Sequence, residues 1–175
     1  QIECSEGSYQ PNFGSTHCII SSQGHYVDAV GLATETPCPP GTFSNRIGAI
    51  SVEDCKISPP GSYSGEGFAS PVLCKTGEFQ PEAESSSCEK TSPGHFAHVE
   101  GSATQFACDA GTYQPLPAQP ECLAAEPGHF VPGHGNVSQT PAAPGFYVEN
   151  STAIAQTPCP PGTYQPEPGQ VGCLQ

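Results

Sequence analysis

Cys159-Pro160-Pro161-Gly162-Thr163-Tyr164-Gln165-Pro166 is the fourth statement of one phrase. The others are Cys4-Ser5-Glu6-Gly7-Ser8-Tyr9-Gln10-Pro11, Cys74-Lys75-Thr76-Gly77-Glu78-Phe79-Gln80-Pro81 and Cys108-Asp109-Ala110-Gly111-Thr112-Tyr113-Gln114-Pro115. A looser copy starts at Cys38, and every copy closes on a second cysteine. Cys4 to Cys18, Cys74 to Cys88, Cys108 to Cys122 and Cys159 to Cys173 each enclose 13 residues, and Cys38 to Cys55 encloses 16. Self-similarity at a fixed period is the mark of a repeat architecture.

Working outward, the stretches between these cysteine units have a pattern of their own: Gly24-His25-Tyr26-Val27, Gly61-Ser62-Tyr63, Gly94-His95-Phe96, Gly128-His129-Phe130-Val131 and Gly145-Phe146-Tyr147-Val148. The 175 residues read as one continuous array, 1–175, of about ten 17-residue units. Cysteine units lie near 4–18, 38–55, 74–88, 108–122 and 159–173, and cysteine-free units near 24–37, 61–73, 94–107, 128–141 and 145–158. The alternation breaks once, where two cysteine-free units follow each other between Cys122 and Cys159.

That break bears on the disulfide connectivity. Bridges across cysteine-free units, such as Cys18 to Cys38, would leave one span of 36 residues between Cys122 and Cys159. Pairing inside each cysteine unit keeps the loops nearly constant and predicts Cys4–Cys18, Cys38–Cys55, Cys74–Cys88, Cys108–Cys122 and Cys159–Cys173. A closed loop of about 15 residues contributes roughly 3 kcal/mol in the chain-entropy model.

Such closures matter because the composition is poor in core material. Leu, Ile, Val and Phe number 29, while Gly and Pro number 20 and 21, with no Met or Trp. A large apolar core is excluded. So are long helices, because the longest run free of Gly and Pro is Phe146 to Thr157. Pro40-Gly41, Pro60-Gly61, Pro93-Gly94, Pro127-Gly128, Pro144-Gly145 and Pro161-Gly162 fill the central positions of type II turns. Each turn launches two or three aromatic or β-branched residues, enough for a short strand. The predicted fold is a small, disulfide-rich, all-β repeat, an elongated linear array of short hairpins and turns. One aromatic per unit, such as Tyr9, Phe79 or Tyr113, is expected to pack on the turn or disulfide of its neighbour. Each unit is expected to touch only adjacent ones. Layers stacked at about 10 Å make a rod.

Charge and cysteine count set the setting. Seventeen acidic residues face only Arg46, Lys56, Lys75 and Lys90, a net charge of −13, which excludes phosphate-backbone partners. No apolar run approaches the roughly 18–20 residues of a membrane span, so no membrane insertion by this segment is expected. The opening Gln1-Ile2-Glu3-Cys4 shows no basic-then-apolar leader, so a secretion signal is expected to be removed or to lie outside the segment. The even cysteine count, with the sequons Asn136-Val137-Ser138 and Asn150-Ser151-Thr152, points to an oxidising secretory route and extracellular or cell-surface localisation. Asn136 and Asn150 are the candidate sites for covalent glycans.

The run Cys-Pro-Pro-Gly-Thr-Tyr-Gln-Pro-Glu-Pro-Gly-Gln-Val-Gly-Cys at 159–173 resembles the ephrin-receptor-like cysteine-rich repeat, a relative of growth-factor-receptor and tumour-necrosis-factor-receptor modules. The likeness covers the five cysteine units and, more weakly, those between. The further cysteines that usually form a second bridge in those families are missing here. The resemblance implies an extracellular, hairpin-rich rod of the kind used in ectodomain stalks, adhesive surface proteins and extracellular fibres.

Chemical sites are sparse. His25, His95 and His129 recur after the turn glycine, which marks them as structural, and no Cys-x2-4-Cys, His-Glu-x-x-His or EF-hand loop is present. Gly61-Ser62-Tyr63-Ser64-Gly65 has Tyr where a nucleophile elbow needs Ser. No catalytic, cofactor or metal residue is therefore expected, and the chain is not read as an enzyme. The expectation is an extracellular structural protein, a stalk or a fibre subunit assembling head to tail with itself or with other extracellular proteins. The alternative is a ligand-binding or adhesive receptor-like module using the irregular stretches 46–57 or 132–137.

Overall fold

The computed structural model describes residues 3–175. The chain is all-β. Among the described residues it forms nine two-stranded sheets and a single 3-10 turn, Val52–Asp54. Every strand is two residues long, and each sheet pairs strands adjacent in sequence. Ser8–Tyr9 runs antiparallel to Ile19–Ile20, Thr112–Tyr113 to Leu123–Ala124 and His129–Phe130 to Thr140–Pro141. An isolated antiparallel bridge joins Tyr164 to Leu174.

The chain divides into two compact parts. One runs to Cys74 and includes Phe79–Glu89 and Gly101–Ala103; the other comprises Lys75–Glu78, Lys90–Glu100 and Thr104–Gln175. Both use the same repeat.

Ten repeats open at Cys4, Ser21, Cys38, Ser58, Cys74, Thr91, Cys108, Ala125, Ala142 and Cys159. The first nine of these opening residues are at most 2% exposed. Cysteine and small residues thus share one buried position, which places the cysteine and cysteine-free units in a single frame. Three residues on stands a turn glycine, the same in all ten: Gly7, Gly24, Gly41, Gly61, Gly77, Gly94, Gly111, Gly128, Gly145 and Gly162. Its φ lies between +79° and +87°, the left-handed value that a type II turn needs at this position. The turn closes by an i to i+3 bond, as from Thr42 N–H to the Pro39 carbonyl at 3.0 Å.

A second left-handed residue follows seven residues later in most repeats: Gly14, Gly31, Gly48, Gly67, Gly101, Gly135 and Gly169, but Glu84, Ala118 and Thr152 in repeats 5, 7 and 9. For those three side chains the left-handed conformation is unfavourable by about 1–2 kcal/mol.

The core is built of small side chains and backbone. Val27, Val131, Ala49, Ala97, Ala125 and Ala142 are fully buried, whereas Ile19, Ile20, Ile57, Leu73 and Leu123 are exposed. The aromatics that end the first strand of each hairpin, among them Tyr26, Phe79, Phe96 and Tyr113, stay half-buried, so they cap the hairpin faces instead of filling an interior.

Candidate functional site

The feature that every repeat reproduces is its junction with the next. Four backbone hydrogen bonds form at each of nine junctions. The turn glycine donates into the following repeat, as from Gly111 N–H to the Val131 carbonyl at 2.9 Å, and its carbonyl accepts from the next opening residue, as from Ala125 N–H at 2.9 Å. Gln114 N–H donates to the Asn136 carbonyl at 3.0 Å, and Gly135 N–H returns to the Cys108 carbonyl at 2.8 Å. Counterparts run from Gly7–Val27 at the first junction to Gly145–Gln165 at the last. Two-residue strands bury too little to stand alone; the junction supplies the missing backbone partners, each worth about 1 kcal/mol net.

The contacts reach further than adjacent repeats. A methyl carbon placed on Gly24 would lie 2.0 Å from the Gly67 carbonyl oxygen, and on Gly111 2.3 Å from that of Thr152. In each case the oxygen belongs to the repeat after next. The same holds for Gly7, Gly41, Gly61, Gly77, Gly94 and Gly128 at 2.1–2.8 Å, while nothing lies within 4 Å at Gly145 or Gly162. The expectation that each unit touches only its neighbours is thereby corrected: the left-handed turn of the later repeat points its carbonyl at the earlier glycine.

Closure of the repeats takes two forms. The structure joins Cys4–Cys18, Cys38–Cys55, Cys74–Cys88, Cys108–Cys122 and Cys159–Cys173, with Cα–Cα separations of 5.6–5.8 Å. In four cysteine-free repeats the position of the second cysteine holds Glu35, Gln105, Gln139 or Gln156. Its side-chain oxygen accepts the N–H of the residue after the opening one, namely Ser22, Ser92, Glu126 or Ala143, at 2.7–2.8 Å. A side-chain clasp thus stands where the disulfide stands elsewhere. Sequence reasoning missed it, although the spacing of fourteen residues from Ser21 to Glu35 and from Ala125 to Gln139 equals that from Cys4 to Cys18. In repeat 4, one residue shorter, the Ser58 hydroxyl bonds the Gly41 carbonyl at 2.7 Å.

Four of the five cysteine repeats carry a second fastening; repeat 3 has Ser44 in its place. Gln80, Gln114 and Gln165 donate from Nε2 to the carbonyls of Ser87, Glu121 and Gly172 at 2.8 Å, and Gln10 reaches His17 likewise. Each amide oxygen accepts a backbone N–H two residues on, as from Leu116 at 3.1 Å. Cysteine-free repeats replace this Gln with Val27, Ser64, Ala97, Val131 or Val148, all buried.

The remaining candidates are dispersed. His25, His95 and His129 each hold Nδ1 3.2–3.5 Å from the carbonyl two residues back, so one local role recurs. In repeat 3 the loop 46–57 folds on itself: Arg46 pairs with Asp54 at 2.6 Å, and Asp54 Oδ2 accepts the Ile50 N–H at 2.9 Å. The Ile50 amide foremost, with the Arg46 guanidinium, holds the Asp54 carboxyl below the usual carboxylate range. A Ser51 hydroxyl does the same for Glu53. In 132–137, His134 faces Asp109 at 3.3 Å on open surface, and Asn136 is half-buried at the junction. Asn150 lies exposed.

A cleft of about 440 Å³ is lined by Glu3, Cys4, Gln10, Phe13, Gly31 and Leu32, among others. Glu3 is its only ionisable lining side chain, since Cys4 is in a disulfide. Among the described residues no three His, Cys, Asp or Glu side chains converge as a metal-binding group, and no helix is long and apolar enough to cross a membrane.

No protein-family model matches the chain. Stretches of it are similar to parts of much longer proteins. Against the human Signal peptide, CUB and EGF-like domain-containing protein 2 the identity is 34% over 91 residues, 50% of this chain and 9% of that protein. For protein 3 of the same human series it is 28% over 95 residues, 53% of this chain and 8% of that protein. The mouse Sushi, von Willebrand factor type A, EGF and pentraxin domain-containing protein 1 is 35% identical over 72 residues, 41% of this chain and 2% of that protein. The chain therefore spans less than a tenth of the length of these relatives. The likeness is to a segment of EGF-like-domain proteins, and the present chain is a disulfide-closed repeat module.

Proposed function

We propose that this chain is a non-catalytic, extracellular structural repeat segment, serving as a stalk or as the subunit of a fibre that grows head to tail. One observation carries the reading: the same four backbone bonds are made at every one of nine junctions, whatever the side chains. A face that accepts any next repeat is suited to spacing or to polymerisation, because a heterologous contact that does not close on itself propagates. Disulfide closure and the EGF-like-domain relatives, two of which carry a signal peptide in their names, favour the secretory setting. The ephrin-receptor-like character of the cysteine repeats belongs to the same reading.

The test is sedimentation velocity of the oxidised chain across a dilution series, paired with negative-stain electron microscopy. A fibre subunit gives concentration-dependent growth and filaments of uniform width. A concentration-independent monomer rejects the fibre and leaves the stalk.

One observation favours a second reading. The loop 46–57 leaves Ile47 63%, Ile50 43% and Val52 44% exposed in the one repeat that carries an insertion. Apolar exposure concentrated this way marks a contact surface, as a receptor-like or adhesive module requires. Loss of adhesion or capture on replacing Ile47 and Ile50 by Ser, with the disulfides intact, would favour that reading over a spacer.

A further inference from the structure

The two sequons, identical as motifs, occupy different places in the repeat. Asn136 stands in the residue row whose carbonyls accept the junction bond, here from Gln114 N–H at 3.0 Å. Others in that row, such as Ala49 and Ser102, are buried. Asn136 is itself half-buried, and its Nδ2 donates to the Gly133 carbonyl at 2.7 Å. A sugar on Nδ2 would have to be accommodated beside this bond, on a side chain that is already half-buried.

Asn150 sits three residues before the corresponding row, on the outer loop of repeat 9. Glu149, Asn150, Ser151 and Thr152 are all exposed, and the Asn150 side chain makes no hydrogen bond. The Thr152 main chain anchors the loop from below, its N–H donating to the Ala125 carbonyl at 2.9 Å and its carbonyl facing Gly111. The sequon's backbone is thus fixed while the amide of Asn150 faces solvent. Among the described residues, repeats 8 and 9 are also the only consecutive pair closed by Gln clasps instead of disulfides, so a bulky hydrophilic group here would cover the longest stretch without a covalent closure.

We propose that Asn150 is the N-glycan acceptor of this chain and that Asn136 carries no glycan in the folded protein. The co-reactant is a polyprenyl-diphosphate-linked oligosaccharide, presented by the secretory transferase. Asn150 Nδ2 forms a C–N bond to the anomeric carbon of the terminal sugar. The bond from that carbon to the diphosphate oxygen breaks, the lipid diphosphate leaves with the electron pair, and one Nδ2 proton passes to it through the enzyme. Transfer precedes closure of the repeats. What the fold decides is which glycosylated asparagine can be accommodated in secreted, fully oxidised material.

The experiment expresses the whole chain, with Asn136→Gln, Asn150→Gln and the double variant, through a eukaryotic secretory host. It reads intact mass before and after enzymatic removal of N-glycans, with peptide mapping of both sites and of the five disulfides. The expected result is one glycan, on Asn150 in most molecules. N136Q keeps the same glycan mass, and N150Q loses all of it while still secreted with five disulfides. Occupancy at Asn136 comparable to that at Asn150, or bare Asn150 in secreted wild-type chain, overturns the proposal. If N150Q is not secreted, peptide mapping of the wild-type chain alone decides between the same outcomes.

Discussion

Replacing Gly128 and, separately, Gly145 by Ala isolates the contact between second-neighbour repeats. The two glycines occupy the same turn position in consecutive repeats, with φ of +86° and +85°. Adding a Cβ in this left-handed backbone costs about 1–2 kcal/mol at either site. The surroundings differ. The new carbon at Gly128 would meet the Gly169 carbonyl oxygen at 2.2 Å, whereas at Gly145 nothing lies within 4 Å. To reach van der Waals distance the carbonyl must retreat by more than about 1 Å. That movement drags the Gly169 N–H from the Ala142 carbonyl, a bond of 2.8 Å, and disturbs the adjoining Val148 N–H to Gln170 bond of 3.0 Å. Each backbone bond left unmade costs about 1–3 kcal/mol. Gly128→Ala is therefore expected to be less stable than Gly145→Ala by about 2–4 kcal/mol. The assay is denaturant unfolding with disulfides intact, read with hydrogen exchange at residues 142–170, because a repeat protein need not unfold in one step. Equal destabilisation of the two variants, within about 0.5 kcal/mol, would refute the second-neighbour contact and leave turn strain as the whole reason for the glycine.

Three further outcomes follow from the same geometry. The double substitution Ala125→Cys and Gln139→Cys should close a sixth disulfide, because these positions match Cys108 and Cys122 in the repeat. Intact mass before and after alkylation, together with a raised thermal midpoint, checks it; two free thiols would show that the frames do not coincide. Ala118→Gly relieves a φ of +58° and should stabilise by about 0.5–1 kcal/mol after the added unfolded-state entropy is subtracted, measured by the denaturant midpoint. The Asp54 carboxyl is held below its ordinary value by the Ile50 amide and Arg46, so its stabilising effect is complete above about pH 3.9 and is lost as pH falls through the lowered value. The protection factor of the Ile50 amide, its exchange rate relative to the unfolded chain at the same pH, should fall in that acid window in wild type, and Asp54→Asn should abolish the dependence.

The all-β, hairpin-rich fold class was legible because its determinants recur as side-chain types: a turn glycine, an aromatic beside it, and cysteines at constant spacing. What could not be read were the features in which one position tolerates chemically unlike residues. Cys4, Ser21, Thr91 and Ala125 look unrelated in a sequence, yet all satisfy a need for a small side chain at a buried crossing. Glu35 and Gln139 look like ordinary surface polar residues, yet each accepts a backbone N–H where other repeats have sulfur. The second-neighbour contact was hidden for another reason: a positive φ already explains the glycine, so the sequence holds no separate trace of the carbonyl packed against it. Glu84, Ala118 and Thr152 conceal the second left-handed position, which glycine marks elsewhere. The sequons were visible, but their unequal settings depend on the junction and not on the motif.

Residue-resolved hydrogen exchange of the oxidised chain tests the repeated junction most directly. If the four-bond ladder holds every repeat, protected amides recur with the repeat period at the turn glycine, at the opening residue of the next repeat, and at the residues equivalent to Gln114 and Gly135. Protection is then as strong in the clasp-closed repeats 8 and 9 as in their disulfide-closed neighbours. Protection confined to the five disulfide loops, with the amides of Gly128, Ala142 and Val148 exchanging freely, would contradict the account.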